Sequence, residues 1–276
     1  MYITRPEKGN VMLKYEIIDN RKEDWVVFVH GIGGSTKTWN KQIDAFSKDY
    51  NLLFLDLPGH GLNADNVIRK VDAKKLYKGI KDTLDHLQIR QAHFVGLSLG
   101  TIVIVNFVVC YPDYAKSIVL GGASLKISGI YASAVRLANL MKRHVPYEFL
   151  YKFFAWFMMP KKHHKKSRLI FLREVVKLNK ETMFAWIEYL QVALHPEQVL
   201  ANLGGMEKKI LLISGDEDHC FIREAKLLAK KMRNAEIKVI EKCGHICSIE
   251  KWSVFNRIAL EYLSKEKKGV MVGSCS

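Results

Sequence analysis

The residues best suited to chemistry sit in Val95-Gly96-Leu97-Ser98-Leu99-Gly100-Thr101. An apolar run, Ala92 to Val95, leads into it and reads as a short buried strand. A second run, Thr101 to Cys110, follows and is long enough for a helix packed on a sheet. Gly-x-Ser-x-Gly at a strand-to-helix joint is a nucleophile elbow. The tight turn strains the serine backbone, the glycines keep its neighbours small, and the hydroxyl is held at the positive end of the next helix. A serine hydroxyl is almost never ionised near neutral pH, so Ser98 needs a base within hydrogen-bond reach. A second constellation, His30-Gly31-Ile32-Gly33-Gly34-Ser35, is dense enough in glycine for backbone N–H groups to face a cleft. It lacks the lysine-serine ending of a phosphate loop and the glycine spacing of a dinucleotide fingerprint. An oxyanion-binding turn fits it best.

The elements that must position these groups follow from periodicity. Val11, Leu13, Tyr15 and Ile17 alternate as in a half-exposed strand near a sheet edge. Trp25 to Val29 is continuously apolar, as a central parallel strand is. A helix is expected over Trp39 to Ser47 and a strand over Leu52 to Leu55. Asp56-Leu57-Pro58-Gly59-His60-Gly61 then makes a structural turn. Asp72 is placed to cap a helix running to Leu87, with Leu76, Ile80, Leu84 and Leu87 along one stripe. Ser117 to Leu120 is the next strand. From Ser124 to Gly204 only helical periodicity is visible. Strands resume at Lys209 to Ser214 and Ile237 to Ile240, with helices over Ile222 to Met232 and Trp252 to Leu263. The fold class expected is α/β, a mostly parallel central sheet with helices on both faces and an inserted helical cap. Residues 1–123 and 205–264 would form the core domain, 124–204 a helical lid, and 265–276 a mobile tail.

Five motifs in this order, each at the end of an expected strand, resemble the α/β-hydrolase fold. They are His30-Gly31 with the glycines after it, Asp56 to Gly61, Gly96 to Gly100, Gly215 to Asp218, and Gly244-His245. The resemblance implies a serine hydrolase, esterase- or lipase-like, with Ser98 as nucleophile and His245 as base. Imidazole titrates near working pH, which suits that role. A carboxylate must orient the imidazole and stabilise its cation. The strand after the elbow helix ends in Gly121-Gly122-Ala123-Ser124, with no acid, whereas the following one offers Asp216, Glu217 and Asp218. The family spacing Gly-x-x-Asp selects Asp218, with Asp216 the fallback. Backbone N–H groups of Leu99 and, by resemblance, Ile32 would form the oxyanion hole. Asn63 stands where the family commonly has serine. Such a set needs no metal or organic cofactor. Cys243-x-His245-x-Cys247 is the rival metal reading, without a second ligand pair at zinc-like spacing.

Hydrolysis of an ester with an apolar acyl chain is the leading expectation. An acyltransferase or thioesterase with the same triad, or a slow-turnover ligand receptor on this fold, is the alternative. An aspartate in place of Ser98 would be needed for a dehalogenase. The net charge of +15 carries no nucleic-acid motif with it. Residues 124–204 contain 13 Lys and Arg against 5 Glu and no Asp, more than half of that charge. The run Lys161-Lys162-His163-His164-Lys165-Lys166 reads as a wet loop, placed to face an anionic membrane beside the aromatic stretch Tyr147 to Met159. Five cysteines without framework spacing suit a reducing cytoplasm. The N-terminus has no signal-peptide apolar core, and no stretch reads as membrane-spanning.

Overall fold

A computed structural model of the chain describes residues 2–4, 12–123, 144–193 and 208–272, together with 133, 137 and 140. Eight strands form one sheet: β1 Tyr2–Thr4, β2 Lys14–Ile18, β3 Trp25–Val29, β4 Asn51–Asp56, β5 Ala92–Leu97, β6 Ala115–Gly121, β7 Lys209–Gly215 and β8 Ala235–Ile240. Their order is β1-β2-β4-β3-β5-β6-β7-β8. The pairs from β4 to β8 are parallel, while β2 runs antiparallel to β4 and β1 to β2. The apolar runs become central strands because both sheet faces are covered. Val27 and Val29 enter one core cluster and Val26 and Phe28 the other, so every position of β3 after Trp25 needs an apolar side chain.

Helices α2 (Ala73–His86), α3 (Leu99–Cys110) and α7 (Ile222–Lys231) bury residues on the first face. The short α1 (Ile43–Phe46) and the C-terminal α9 (Trp252–Val272) bury residues on the second. Asp72 caps α2 as expected, its side chain accepting from the Lys75 N–H at 3.1 Å. The expected helix over Trp39 to Ser47 is instead broken into a 3₁₀ turn, Thr36–Trp39, and α1. Buried Gln42 donates to the Ser248 carbonyl and to Asn256 Oδ1, and Asn256 donates to the Lys41 carbonyl. These long-range bonds hold the break. Helix α9 runs past Leu263 to Val272, where the sequence reading placed a tail from residue 265. Lys265-Glu266-Lys267-Lys268 are good helix formers, and no proline interrupts them.

Between β6 and β7 the described residues form helices and no strand: α4 Tyr147–Met158, α5 Lys165–Val175 and α6 Lys180–Ala193. Residues 124–132, 134–136, 138–139, 141–143 and 194–204 of the segment, and the tail beyond 272, lie outside the described residues. Helix α6 is tied to the sheet domain by an exposed ion pair, Arg69 with Glu181 at 2.9 Å, and by three less exposed polar contacts. Trp186 donates to the Pro58 carbonyl at 3.0 Å, Thr182 Oγ1 accepts from the Ile68 N–H at 2.9 Å, and the Tyr77 and Tyr189 hydroxyls meet at 2.7 Å. No helix among the described residues is long and apolar enough to cross a membrane.

The connection after β3 leads to one side of the sheet and that after β5 to the other, so the carboxyl ends of β3 and β5 bound a crevice. The spacing there is set by Gly100. A Cβ at that position would collide with the Val29 carbonyl oxygen and lie 2.8 Å from that of His30. Gly100→Ala should therefore cost about 3 kcal/mol of stability, an overpacking penalty against rigid backbone. Urea unfolding that matches the parent protein would contradict it.

Candidate active site

Ser98 sits between β5 and α3 with φ 51° and ψ −117°, a left-handed conformation that few side chains adopt. The strain is held by hydrogen bonds on both sides. Its N–H donates to the Gly121 carbonyl at 3.0 Å, and its carbonyl accepts from the Thr101 N–H at 2.9 Å and the Thr101 hydroxyl at 2.6 Å. Gly96 is required as well, since a Cβ there would lie 2.7 Å from Ile104 Cδ1 and 2.9 Å from the Gly100 carbonyl carbon. The serine is thus forced outward while its neighbours stay small.

His245 Nε2 lies 2.8 Å from Ser98 Oγ, and His245 Nδ1 lies 2.9 Å from Asp218 Oδ2. A carboxylate only accepts, so Nδ1 carries the proton and Nε2 is left to accept from the serine hydroxyl. Both His245 and Asp218 are buried, at 2% and 1% exposure. The loops that carry them are zipped together. The Glu217 N–H donates to the Cys243 carbonyl at 2.9 Å, and the Cys243 N–H donates to Asp216 Oδ1 at 3.2 Å. Asp216 is exposed and holds that loop, whereas Asp218 faces the imidazole.

The turn after β3 lies against the elbow: a Cβ on Gly31 would stand 3.2 Å from that of Ser98. Ile32 and Ser98 line one cavity of about 100 Å³. No acceptor among the described residues takes the N–H of Ile32 or of Leu99. Two histidines, named in the sequence motifs but given no role of their own there, shape this turn. His30 Nε2 accepts from the Leu57 N–H at 3.1 Å, so its Nδ1 donates to the Gly31 carbonyl at 2.7 Å. His60 Nε2 accepts from the Gly33 N–H at 3.0 Å, and its Nδ1 faces the Pro58 carbonyl at 3.2 Å. Burial lowers the pKa of His30 against the attraction of Asp56. Burial, and then His30, push His60 well below the ordinary imidazole value. Both are therefore neutral. Their signal in the sequence was position alone, one directly after β3 and one inside a tight Pro-Gly-His-Gly turn. The Asp56 turn is structural, its carboxylate accepting from the Thr36 and Leu62 N–H groups, each at 2.8 Å.

The cavity walls come from the turn, the elbow and helices α4 to α6, with Tyr151, Phe154, Met158, Phe171 and Ile187 among them. Its one Asp, Glu, Lys or Arg among the described lining residues is Glu174, which accepts from Lys177 at 2.7 Å. The rival cysteine reading fails on geometry, because His245 is committed to Ser98 and Asp218. Cys243 and Cys247 point their thiols at the Gly244 and Ile213 carbonyls, and burial pushes both pKa values up, that of Cys247 to about 12. Of the basic run, Lys161, Lys162, His163, Lys165 and Lys166 are exposed, as expected, but His164 is fully buried. The run forms a 3₁₀ turn and a helix start, and Lys161, His163 and His164 all bond to Glu217. A partner 53 residues away in sequence is what the charge run could not reveal.

With this geometry in place, the comparisons converge. The profile of the Alpha/beta hydrolase family matches residues 26–258, and the chain belongs to that family. It is a hydrolase of the superfamily. A 2-hydroxy-6-oxo-6-phenylhexa-2,4-dienoate hydrolase of Comamonas testosteroni is 26% identical over 86% of this chain and 87% of its own. A 2-hydroxy-6-oxononadienedioate/2-hydroxy-6-oxononatrienedioate hydrolase of Burkholderia vietnamiensis is 26% identical over 96% and 95%. Among solved structures, a carboxylesterase study from Nitrososphaera gargenis matches with TM-score 0.78 at 20% identity, covering 97% of this chain and 100% of that one. The enol-lactonase of Burkholderia xenovorans LB400 also gives 0.78 at 20% identity, over 91% and 96%. These two likenesses concern the fold.

The two aspartates provide a direct test. Asp218→Asn should lower turnover on the order of 10⁴-fold, because an amide can favour the wrong imidazole tautomer. Asp216→Asn should change it little. Steady-state kinetics with the two effects reversed would move the role to Asp216.

Proposed function

We infer that this chain is a carboxylic ester hydrolase that takes a neutral ester with an apolar acyl group and works through an acyl-enzyme on Ser98. The observation that carries the reading is the hydrogen-bonded series Ser98–His245–Asp218 opening into an apolar cavity. In the first half-reaction, Ser98 Oγ attacks the ester carbonyl while His245 Nε2 takes its proton. The new oxyanion sits against the N–H groups of Ile32 and Leu99, each such donor being worth about 3 kcal/mol in the transition state. Collapse breaks the bond to the leaving alcohol, which receives the proton from His245. In the second, His245 takes a proton from water, water attacks the acyl-enzyme, and Ser98 regains its proton as the acid departs. Asp218 holds the imidazole in the required tautomer and stabilises its cation in both. Helices α4 to α6 act as the lid that selects the acyl group.

A second reading comes from the curated relatives, whose named substrates are hydroxy-oxo-dienoates. Such a substrate contains no ester, so its hydrolysis must break a carbon–carbon bond, and it carries at least one carboxylate. The lining favours the ester. Among described residues no lysine or arginine lines the cavity, and Glu174 would repel an acid.

Ser98→Ala should reduce p-nitrophenyl ester turnover by about 10⁶ with the melting temperature kept. The parent protein should prefer medium or long acyl esters over acetate. A near-parental rate in the variant would sink the mechanism, a flat chain-length profile the acyl pocket. Higher kcat/KM on a hydroxy-oxo-dienoate than on any ester would select the second reading.

Peripheral contact with an anionic membrane is supported by one face of α4. Phe149, Phe153 and Trp156 are 66%, 49% and 57% exposed there, and Lys152 and Lys162 are exposed nearby. Salt-sensitive sedimentation with anionic vesicles is expected. No pelleting at low salt would end this part of the reading.

A further inference from the structure

Two histidines of the inserted segment meet two carboxylates of the core on the far side of the Asp218 and His245 loops. His163 and His164 form the short turn that starts α5. Glu217 directly precedes Asp218, and Glu250 ends the helix α8 (Cys247–Glu250) that follows His245. Glu217 Oε2 lies 2.5 Å from His163 Nε2 and 2.8 Å from His164 Nε2. His164 Nε2 lies 3.5 Å from Glu250 Oε1. One ligand atom from each of His163, His164 and Glu250 falls within 4.8 Å of the other two.

Two of these groups, His164 and Glu250, are poorly satisfied as they stand. The side chains of His164 and Glu250 are 0% and 7% exposed. His164 Nδ1 and Glu250 Oε1 have no hydrogen-bond partner among the described residues, and Glu250 Oε2 has only the Ser167 hydroxyl at 3.4 Å. A buried carboxylate so weakly paired calls for a cation. The lysine that bonds to the cluster among the described residues, Lys161, is spent on Glu217 Oε1 at 2.8 Å. A carboxylate oxygen shared by two imidazole nitrogens also puts protons where a metal ion would stand. Imidazole with carboxylate suits a borderline transition ion. Tetrahedral ligands at about 2.0–2.2 Å stand about 3.3–3.6 Å apart, so an ion is admitted once the side chains now 2.5 and 2.8 Å apart separate by about 1 Å.

We propose that His163, His164 and Glu250, with Glu217 as the fourth ligand, form a site for one zinc ion that fastens the inserted segment to the loops carrying Asp218 and His245. The ion is structural. It touches none of Ser98, His245 and Asp218, so the inference stands apart from the ester reading. Its effect is to fix α5, and with it the cavity wall at Phe171 and Glu174.

The full chain, stripped with a chelator and exchanged into metal-free buffer, should bind one equivalent of added zinc in calorimetry. Saturating zinc should raise its melting temperature by several degrees. Cobalt in its place should give a d–d spectrum without a thiolate charge-transfer band, since no cysteine belongs to the site. His163→Ala alters an exposed side chain and Glu250→Gln keeps its shape, so both variants should fold. Each should weaken zinc binding by at least about tenfold and remove the thermal shift. Binding unchanged in both variants, a thiolate band, or no thermal shift at saturating zinc would overturn the proposal. The cluster would then be a set of ion pairs only.

Discussion

The structure depends on one close approach of backbone to backbone, where the first turn of α3 meets the end of β3. Gly100 has room for a hydrogen and nothing more against the Val29 and His30 carbonyls. Because helix and strand touch there, the chain between β5 and α3 has no slack. Ser98 must take the left-handed conformation that a longer turn would relieve. The same contact presses the glycine turn after β3 against the serine, so Ser98 and the turn N–H groups reach one crevice together. Its location follows from topology, since the connections that leave the neighbouring strands β3 and β5 diverge to opposite sides of the sheet.

Much of this was legible in the sequence because it rests on local rules. A strand covered on both faces is apolar at nearly every position, so β3 announces itself, and β5 does so apart from His93, whose ring meets the buried Ser117 hydroxyl. Gly96 and Gly100 mark the elbow because sterics admit nothing larger. Asp218 was separable from Asp216 by spacing, and the turn geometry agrees, one carboxylate on the imidazole and the other on the Cys243 N–H. What escaped was long-range. The break after Trp39 is held by Asn256, far along the chain. The basic run was read as solvated because its composition gives no hint of Glu217. Burial of Glu217 works against its ionisation, yet hydrogen bonds from Lys161, His163 and His164 hold its pKa down to about 2. A charged segment lies on the core when the core supplies the opposite charge.

The two neutral histidines show how a polar loop can be made rigid without solvent. A buried imidazolium would lose hydration with little return, so His30 and His60 each keep one donor and one acceptor nitrogen. Each ring then joins two backbone segments, His30 linking Gly31 to Leu57 and His60 linking Gly33 to Pro58. A lysine or an amide of similar reach would not do the same work, because the ring is flat, stiff and satisfied at both ends. The turn is left with its Gly31 and Gly33 positions fixed and the intervening Ile32 N–H uncommitted to protein acceptors among the described residues.

The same scaffold reaches the cavity wall. Pro58, whose carbonyl faces His60, also accepts from Trp186 of α6, and the His60 and Trp186 rings meet edge to face at 5.7 Å. Helix α6 contributes Met183, Ile187 and Leu190 to the cavity. A shift of α6 large enough to open that wall must therefore break the Trp186 bond or carry Pro58 with it. Moving Pro58 disturbs His60 and, through it, the Gly33 end of the turn. The α6 wall of the cavity and the turn beside Ser98 are thus mechanically one unit. Helix α4 makes no such bond to the Pro58 turn among the described residues; it is held at its end instead by Arg168 of α5, which donates to the Lys161 carbonyl at 2.8 Å and lies over the Trp156 ring.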